Sequence, residues 1–202
     1  MSRVTLHIFM NSIENTTRVF KEAAYTLNTG ICTKVAVIGL WEEGLPREET
    51  NEDGLDILRH PTLIKRIDVK SMFYRIVLLR QILKVLSLIQ YLNACVATAR
   101  RLRADHVSCH NAFMLPVAWA AARLSGATLE YLPHELEIER AGLSGVLKRF
   151  TAFAERRFIR AARNVVVISQ PVYDWYKAEY GLTNLHIVRN VPERDTLQVQ
   201  PI

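Results

Sequence analysis

Apolar residues in this chain gather in short runs, and most runs are followed by a stretch with helical spacing. The first run, Val4 to Met10, predicts a strand ending at Asn11. A helix from about Thr16 to Asn28 follows and stops at Gly30, a residue type suited to the position just past a helix end. Val35 to Leu40 predicts a second strand ending near Trp41, an acidic loop runs from Glu42 to Asp56, and Leu55 to Leu58 is a weak third strand. His106 to His110, Thr128 to Leu132, Asn164 to Ile168 and Leu185 to Val188 predict four more. Between them lie an alanine-rich helix, Met114 to Ser125, closed by Gly126, and a basic amphipathic helix, Leu147 to Ala162. Another helix opens at Ser169-Gln170-Pro171, where the missing proline N–H is harmless, and closes at Gly181. Strands alternating with helices indicate βαβ units. The expected fold is therefore α/β: a Rossmann-like, doubly wound, mostly parallel sheet with helices on both faces.

The longest segment without Gly or Pro runs from Thr62 to Leu115, and within it Ser71 to Arg103 reads as one long helix or two abutting ones. Leu78, Ile82, Val85, Ile89, Leu92 and Val96 fall on one stripe at spacings of three and four, so this stripe is expected to pack on the sheet. The other side mixes Arg80, Lys84 and Ser87 with Ile76, Leu83, Leu88 and Tyr91. A basic helix face with extra apolar residues suits a lipid headgroup layer, which makes 71–103 the candidate contact with an anionic membrane surface. The alternative is a helix buried on most sides by its neighbours.

Composition supports a packed core: half of the 202 residues are apolar and 23% are charged. Charge is unevenly placed. Residues 61–105 carry nine Lys and Arg against two Asp and Glu, in a chain whose net charge is +6. Such a surface favours anionic partners, but no zinc-finger spacing or aromatic-basic pattern supports nucleic acid. The three cysteines, Cys32, Cys95 and Cys109, show no metal spacing and cannot all pair, so reduced thiols in the cytoplasm are expected. No uncharged apolar run reaches the roughly 18 residues that span a bilayer, and the start of the chain lacks the apolar core of a signal peptide. The protein is expected to be cytoplasmic, with peripheral attachment to the inner face of the membrane.

In a parallel sheet the strands deliver their last residues to one edge, where ligands bind. The polar endings are Asn11, Trp41, His110-Asn111, His134-Glu135, Ser169 and Asn190, and this shared edge is the expected site. Each histidine alone would suit the capping of a strand end; two His-polar pairs at corresponding ends favour a crevice for a polar ligand. The usual phosphate-cradling glycine loops and the hydrolase nucleophile elbow are missing. His106, His110 and His134 do not cluster as metal ligands usually do, so no metal is expected. Cys109 alternates away from His110, which disfavours a thiol nucleophile. A His-Glu pair suits sugar hydroxyls or a developing charge.

Several segments carry a family resemblance. Ala104-Asp-His-Val-Ser-Cys-His-Asn, the helix from Leu115 to Ala127, Leu129-Glu-Tyr-Leu-Pro-His-Glu-Leu, Ala154 to Ser169 and His186-Ile-Val-Arg-Asn-Val-Pro-Glu resemble, in order and spacing, the N-terminal half of retaining GT-B glycosyltransferases of family 4. The resemblance implies two Rossmann-like domains flanking a cleft, the first holding the acceptor and the second the nucleotide-sugar donor. It implies transfer with retention, without a metal or other cofactor, to a glycan, lipid-linked or small-molecule acceptor. His134 matches the histidine beside the reacting sugar; Glu135, His110 and Asn111 match the acceptor side; Asn11 sits in the loop that approaches the donor diphosphate. By position, Ser169 and Asn190 join this substrate-binding set. Residues 1–190 would form the acceptor-side domain and 191–202 the start of an interdomain linker, with the donor domain supplied by a further segment or a partner chain. This chain alone is then expected to bind acceptor without transferring sugar. The first loop departs from the family pattern: Asn11 to Thr17 lacks the paired glycines that permit close backbone approach to a diphosphate. Glu14 and Glu22 have the family's Glu-x7-Glu spacing but lie in the wrong unit, and they read as solvated helix residues. The rival reading is a non-catalytic Rossmann-like binding or scaffold module, on a membrane or a partner chain; a sugar-nucleotide epimerase is disfavoured.

Overall fold

The computed structural model describes residues 3–14, 17–63, 77–139 and 144–189. Among the described residues, eight strands form one sheet: β1 (Val4–Ile8), β2 (Lys34–Leu40), β3 (Glu48–Thr50), β4 (Asp56–His60), β5 (His106–Cys109), β6 (Thr128–Tyr131), β7 (Asn164–Val167) and β8 (Leu185–Ile187). Their order is β3-β4-β2-β1-β5-β6-β7-β8. All neighbours pair in parallel except β3, which runs antiparallel to β4. The described residues contain five α-helices: α1 (Thr17–Asn28), α2 (Val77–Leu102), α3 (Leu115–Ser125), α4 (Gly145–Phe158) and α5 (Gln170–Tyr180). The expected α/β sheet is therefore present, with helices on both faces.

Side-chain alternation along the strands divides the core in two. Leu6, Ile8, Val107, Cys109, Leu129, Tyr131, Val165 and Val167 point into the larger cluster, with buried residues of α2, α3 and α5. Phe9, Val35, Val37 and Ile57 point to the other face, beneath Ala23 of α1. The glycines that end α3 and α5 do what their positions predict. Gly126 and Gly181 take left-handed φ values of 81° and 62° and return their N–H groups to Ala122 and Lys177.

The long helix departs from expectation. Of the stripe predicted to face the sheet, Leu92 and Val96 pack into the core, but Ile82, Val85 and Ile89 are 46%, 57% and 48% exposed, and Leu86 beside them is exposed as well. The sheet instead meets Ser87, Tyr91, Cys95 and Ala99, a row at spacing four that is buried throughout. The apolar periodicity assigns Ser87 and Tyr91 to the outer side, and the structure reverses that assignment. Along this row Ser87, Cys95 and Ala99 are small, which permits close helix approach, and Tyr91 is the large buried member. The Tyr91 hydroxyl lies between the carbonyl oxygens of Phe9 and Ile38, and so also finds polar partners. By length and composition Leu79–Leu102 could cross a membrane, but here one side of it covers the sheet. The positions 71–76 of the predicted helix lie outside the described residues.

The acidic loop also holds a strand that its composition hides. β3 pairs Glu48 with Leu58, Glu49 with Ile57 and Thr50 with Asp56. The Asn51 side chain builds the turn behind it, accepting from the N–H groups of Asp53 and Leu55 at 3.1 and 2.8 Å. Arg59, 6% exposed, ties this edge to the loop after β1. Its guanidinium donates to the Ser12 and Pro46 carbonyl oxygens at 2.7 and 3.0 Å and pairs with Glu49 at 2.6 Å.

Candidate functional site

From β1 the chain builds outward to β2 and β4; after α2 it returns to the other side of β1 and builds outward again through β5 to β8. Connections that leave two adjacent strands in opposite directions open a crevice at their carboxyl ends. The strand-tip histidines meet at this reversal. His110, fully buried, follows β5, and its Nε2 lies 2.9 Å from Nδ1 of His7 on β1. Its Nδ1 lies 3.3 Å from Nε2 of His134, which follows β6 by way of Leu132 and Pro133. Phe9 stacks on the His110 ring, with centroids 4.3 Å apart and planes 19° apart. Burial pushes the His7 pKa down from 6.5 to about 4, so this imidazole is neutral at pH 7.

Two members of this group escape a reading of the sequence. His7 is a polar residue inside a strand that is otherwise buried, which is the available signal. Glu22, expected to be solvated, is half-buried on α1. One of its carboxylate oxygens and one ring nitrogen each of His7 and His110 lie within 4.8 Å of one another. These three carry the ligand types of a metal site among the described residues. Their placement comes from α1 folding over β1, which periodicity alone does not reveal. Glu14, by contrast, is exposed and accepts a hydrogen bond from the Ser12 hydroxyl.

Beside the histidines, Asn11 and Asn111 line a cleft of about 410 Å³ with Met10, Phe113, Met114, Glu137, Leu147 and Thr151. Asn11 is held there from two sides. Its carbonyl accepts from the N–H of Leu40 at 2.8 Å, and its side-chain oxygen accepts from the N–H of Ile13 at 3.2 Å. Ile13 takes a φ of 64°, so this turn is built on a local side-chain bond rather than on glycine. Glu137, 5% exposed, is the acidic residue of the cleft. Its Oε2 accepts from the N–H of Ala112, where a short 3₁₀ turn begins. Thr151 is 2% exposed, and its hydroxyl has no hydrogen-bond partner among the described residues. The cleft thus offers an amide, a carboxylate and a hydroxyl against an apolar wall, a combination suited to a polyhydroxylated ligand with an apolar flank.

The other expected residues are placed as follows. Glu135 follows His134 but is exposed, outside the lining of the cleft. Ser169 precedes α5 on the same edge of the sheet; its carbonyl accepts the N–H of Tyr173 and its side chain makes no capping bond. Trp41, at the end of β2, donates from its indole N–H to the Leu45 carbonyl and lies against Arg47. Asn190 and the linker positions 191–202 lie outside the described residues. His106 sits at the opposite end of β5, bonded to Thr128 at 2.7 Å, and does not join His110. All three cysteines are buried thiols. Burial pushes Cys109 up to about 12, and its Sγ donates to the Asn111 carbonyl, so it serves the loop rather than reaction. A larger cleft of about 500 Å³, near Arg59, Gln90 and Arg101, contains none of the site residues expected from the sequence.

Behind β6 a buried carboxylate supports the site. Glu155 on α4 accepts from the hydroxyls of Tyr131, Tyr176 and Tyr180 at 2.6, 2.6 and 2.8 Å, joining β6, α4 and α5. Nothing in the sequence pattern announces this group, because its members come together only through packing.

A family profile described as a glycosyl transferase 4-like domain matches residues 34–190. No curated protein matches the chain by sequence. Among solved structures, sucrose-phosphate synthase from Thermosynechococcus elongatus superposes with a TM-score of 0.67 at 10% identity, over 93% of this chain and 48% of that one. Anabaena HepE, solved in complex with UDP-glucose, gives 0.58 at 12% identity over 93% and 43%. The lipopolysaccharide outer core galactosyltransferase WaaB gives 0.56 at 14% identity over 96% and 50%. At these identities the likeness shows the fold alone, and the chain spans about half the length of these three structures.

Proposed function

The chain belongs to the glycosyl transferase 4-like family, and on that premise we propose that it is the acceptor-binding half of a two-domain glycosyltransferase. The donor is a nucleotide sugar held by a second domain, and transfer retains the anomeric configuration, as the sequence resemblance implies. What carries this reading is the meeting of His110 and His134 at the reversal of the sheet, beside a cleft that offers Asn11, Asn111 and Glu137. His134 stands at the rim next to the reacting sugar. The amides and the Glu137 carboxylate orient acceptor hydroxyls, while Met10, Phe113 and Met114 exclude water from one side. The family likeness and the solved relative carrying UDP-glucose support the choice of donor.

The test uses the complete protein with a panel of nucleotide sugars and of glycan and lipid-linked acceptors. His134→Ala should lower transfer by about a hundredfold or more, while unfolding free energy falls only by the roughly 1 kcal/mol of its lost bond to His110. Product anomers of the donor's configuration are expected. Equal transfer by wild type and variant would remove His134 from the mechanism, and inverted product would remove retention.

A further inference from the structure

His7 on β1 and the residues His110 and His134 just beyond β5 and β6 belong to three adjacent strand ends, and the sheet register begins a staircase of them. His7 lies opposite Ser108, two residues before His110. Cys109 lies opposite Tyr131, and the hydrogen bond from Leu132 N–H to the Cys109 carbonyl carries the pairing one step further. His134 is two residues beyond Leu132. The first step therefore moves one strand across and two residues up, the diagonal that keeps side chains on one face of a pleated sheet, and the loop after β6 brings His134 up to His110 in the same sense.

The rings are aligned as well as near. His7 and His110 have centroids 5.2 Å apart, planes 23° apart and facing nitrogens 2.9 Å apart. Such a centroid separation leaves room for little more than the two ring radii and the nitrogen gap. The rings thus meet edge to edge and nearly coplanar, with the two nitrogens on the line between them. His110 and His134 have centroids 5.2 Å and planes 18° apart with 3.3 Å between nitrogens, a longer contact that is bent off the line between the rings. In-plane nitrogens aimed at each other form N–H···N bonds; ligands of a shared metal ion would have their lone pairs converge on a point to one side.

We propose that the three imidazoles form one hydrogen-bonded relay in which His7 and His110 act as positioning residues that fix the tautomer of His134. A neutral imidazole has one protonated and one bare nitrogen. His110 uses its two nitrogens on its two neighbours, so a donor on one side requires an acceptor on the other. Only two arrangements satisfy both bonds. Either all three rings carry the proton on Nδ1, or all three carry it on Nε2. The choice made near Glu22 is therefore transmitted through His110 to His134. It decides whether Nδ1 of His134 donates or accepts a hydrogen bond. Burial keeps His7 neutral near pH 7, which the relay requires. The use of this lock in sugar transfer rests on the proposed function; the lock itself does not.

NMR of isotope-labelled imidazole nitrogens tests the relay in the intact protein near pH 7.5, because bare and protonated ring nitrogens resonate far apart. The three histidines should each show a single tautomer, and the same one. In His110→Phe, His134 should lose that preference and show averaged nitrogen shifts. Opposite tautomers within the wild-type trio, or an unchanged His134 in His110→Phe, would overturn the relay. So would capture of one equivalent of zinc by His7 and His110 with both facing nitrogens bare. The wild-type pattern needs no substitution, so a variant that fails to fold leaves the test intact. The spectra report the relay whatever reaction the protein catalyses, so its failure and that of the transferase reading are told apart.

Discussion

Acidification should weaken the fold through His7, by an amount that the burial of this ring allows to be worked out. In the folded protein its pKa is about 4, against 6.5 in the exposed chain. With the folded value below the unfolded one, the unfolded chain takes up a proton first as the pH falls. The contribution of the neutral ring is thus fully present above pH 6.5 and is lost as the pH falls from there through 4. A tenfold difference in proton affinity between the two states is worth about 1.4 kcal/mol. The loss is therefore about 1 kcal/mol at pH 5.5, about 2 to 3 kcal/mol at pH 4.5, and levels off at about 3 kcal/mol below that. For a protein of this size each kcal/mol moves the melting temperature by about 2–4 °C. Other groups titrate over the same range, so the assay is the difference between wild type and His7→Gln in urea denaturation near pH 7.5, 5.5 and 4.5. The variant starts less stable, having lost the bond to His110, and its stability should fall less steeply with acid. Parallel pH profiles for the two proteins would show that His7 is not held neutral by burial, and the reasoning would fail.

Three other outcomes are expected. Glu155→Gln should lower the unfolding free energy by about 3 kcal/mol, since a charged acceptor of three buried hydroxyls becomes an amide that cannot satisfy them all, and bonds to charged groups contribute roughly 1.5–3 kcal/mol each; a urea midpoint equal to wild type would refute this. In Gly39→Ala the new Cβ would stand 2.5 Å from the Asn11 carbonyl oxygen and 2.5 Å from the Ile13 side chain, so a cost of about 1–3 kcal/mol and displaced amide resonances over Asn11 to Glu14 are expected; unperturbed resonances would show that the strand and loop do not meet there. If the exposed Ile82, Val85, Leu86 and Ile89 beside Lys84 rest on an anionic lipid surface, Leu86→Ser/Ile89→Ser should abolish flotation with anionic vesicles. Equal flotation of wild type and variant would remove α2 from any membrane contact.

The alternation of strands and helices, the stops at Gly126 and Gly181, and the strand-end positions of His110 and His134 were all legible in the chain itself. They follow from residue type and from periods of two and 3.6, which are local properties. The sheet order was not legible. Only the fold set β1 beside β5, and with that His7 beside His110 and Glu22 above both. The inward face of α2 was hidden for a related reason. An apolar helix offers several stripes, and the structure buries Ser87, Tyr91, Cys95 and Ala99, with the Tyr91 hydroxyl meeting the carbonyls of Phe9 and Ile38, on two chain segments that only the fold brings there. Glu155 and its three tyrosines, 21 to 25 residues away, show the same division. A sequence states which side chains need a partner, but partners from separate strands and helices are assigned only when packing closes the space between them.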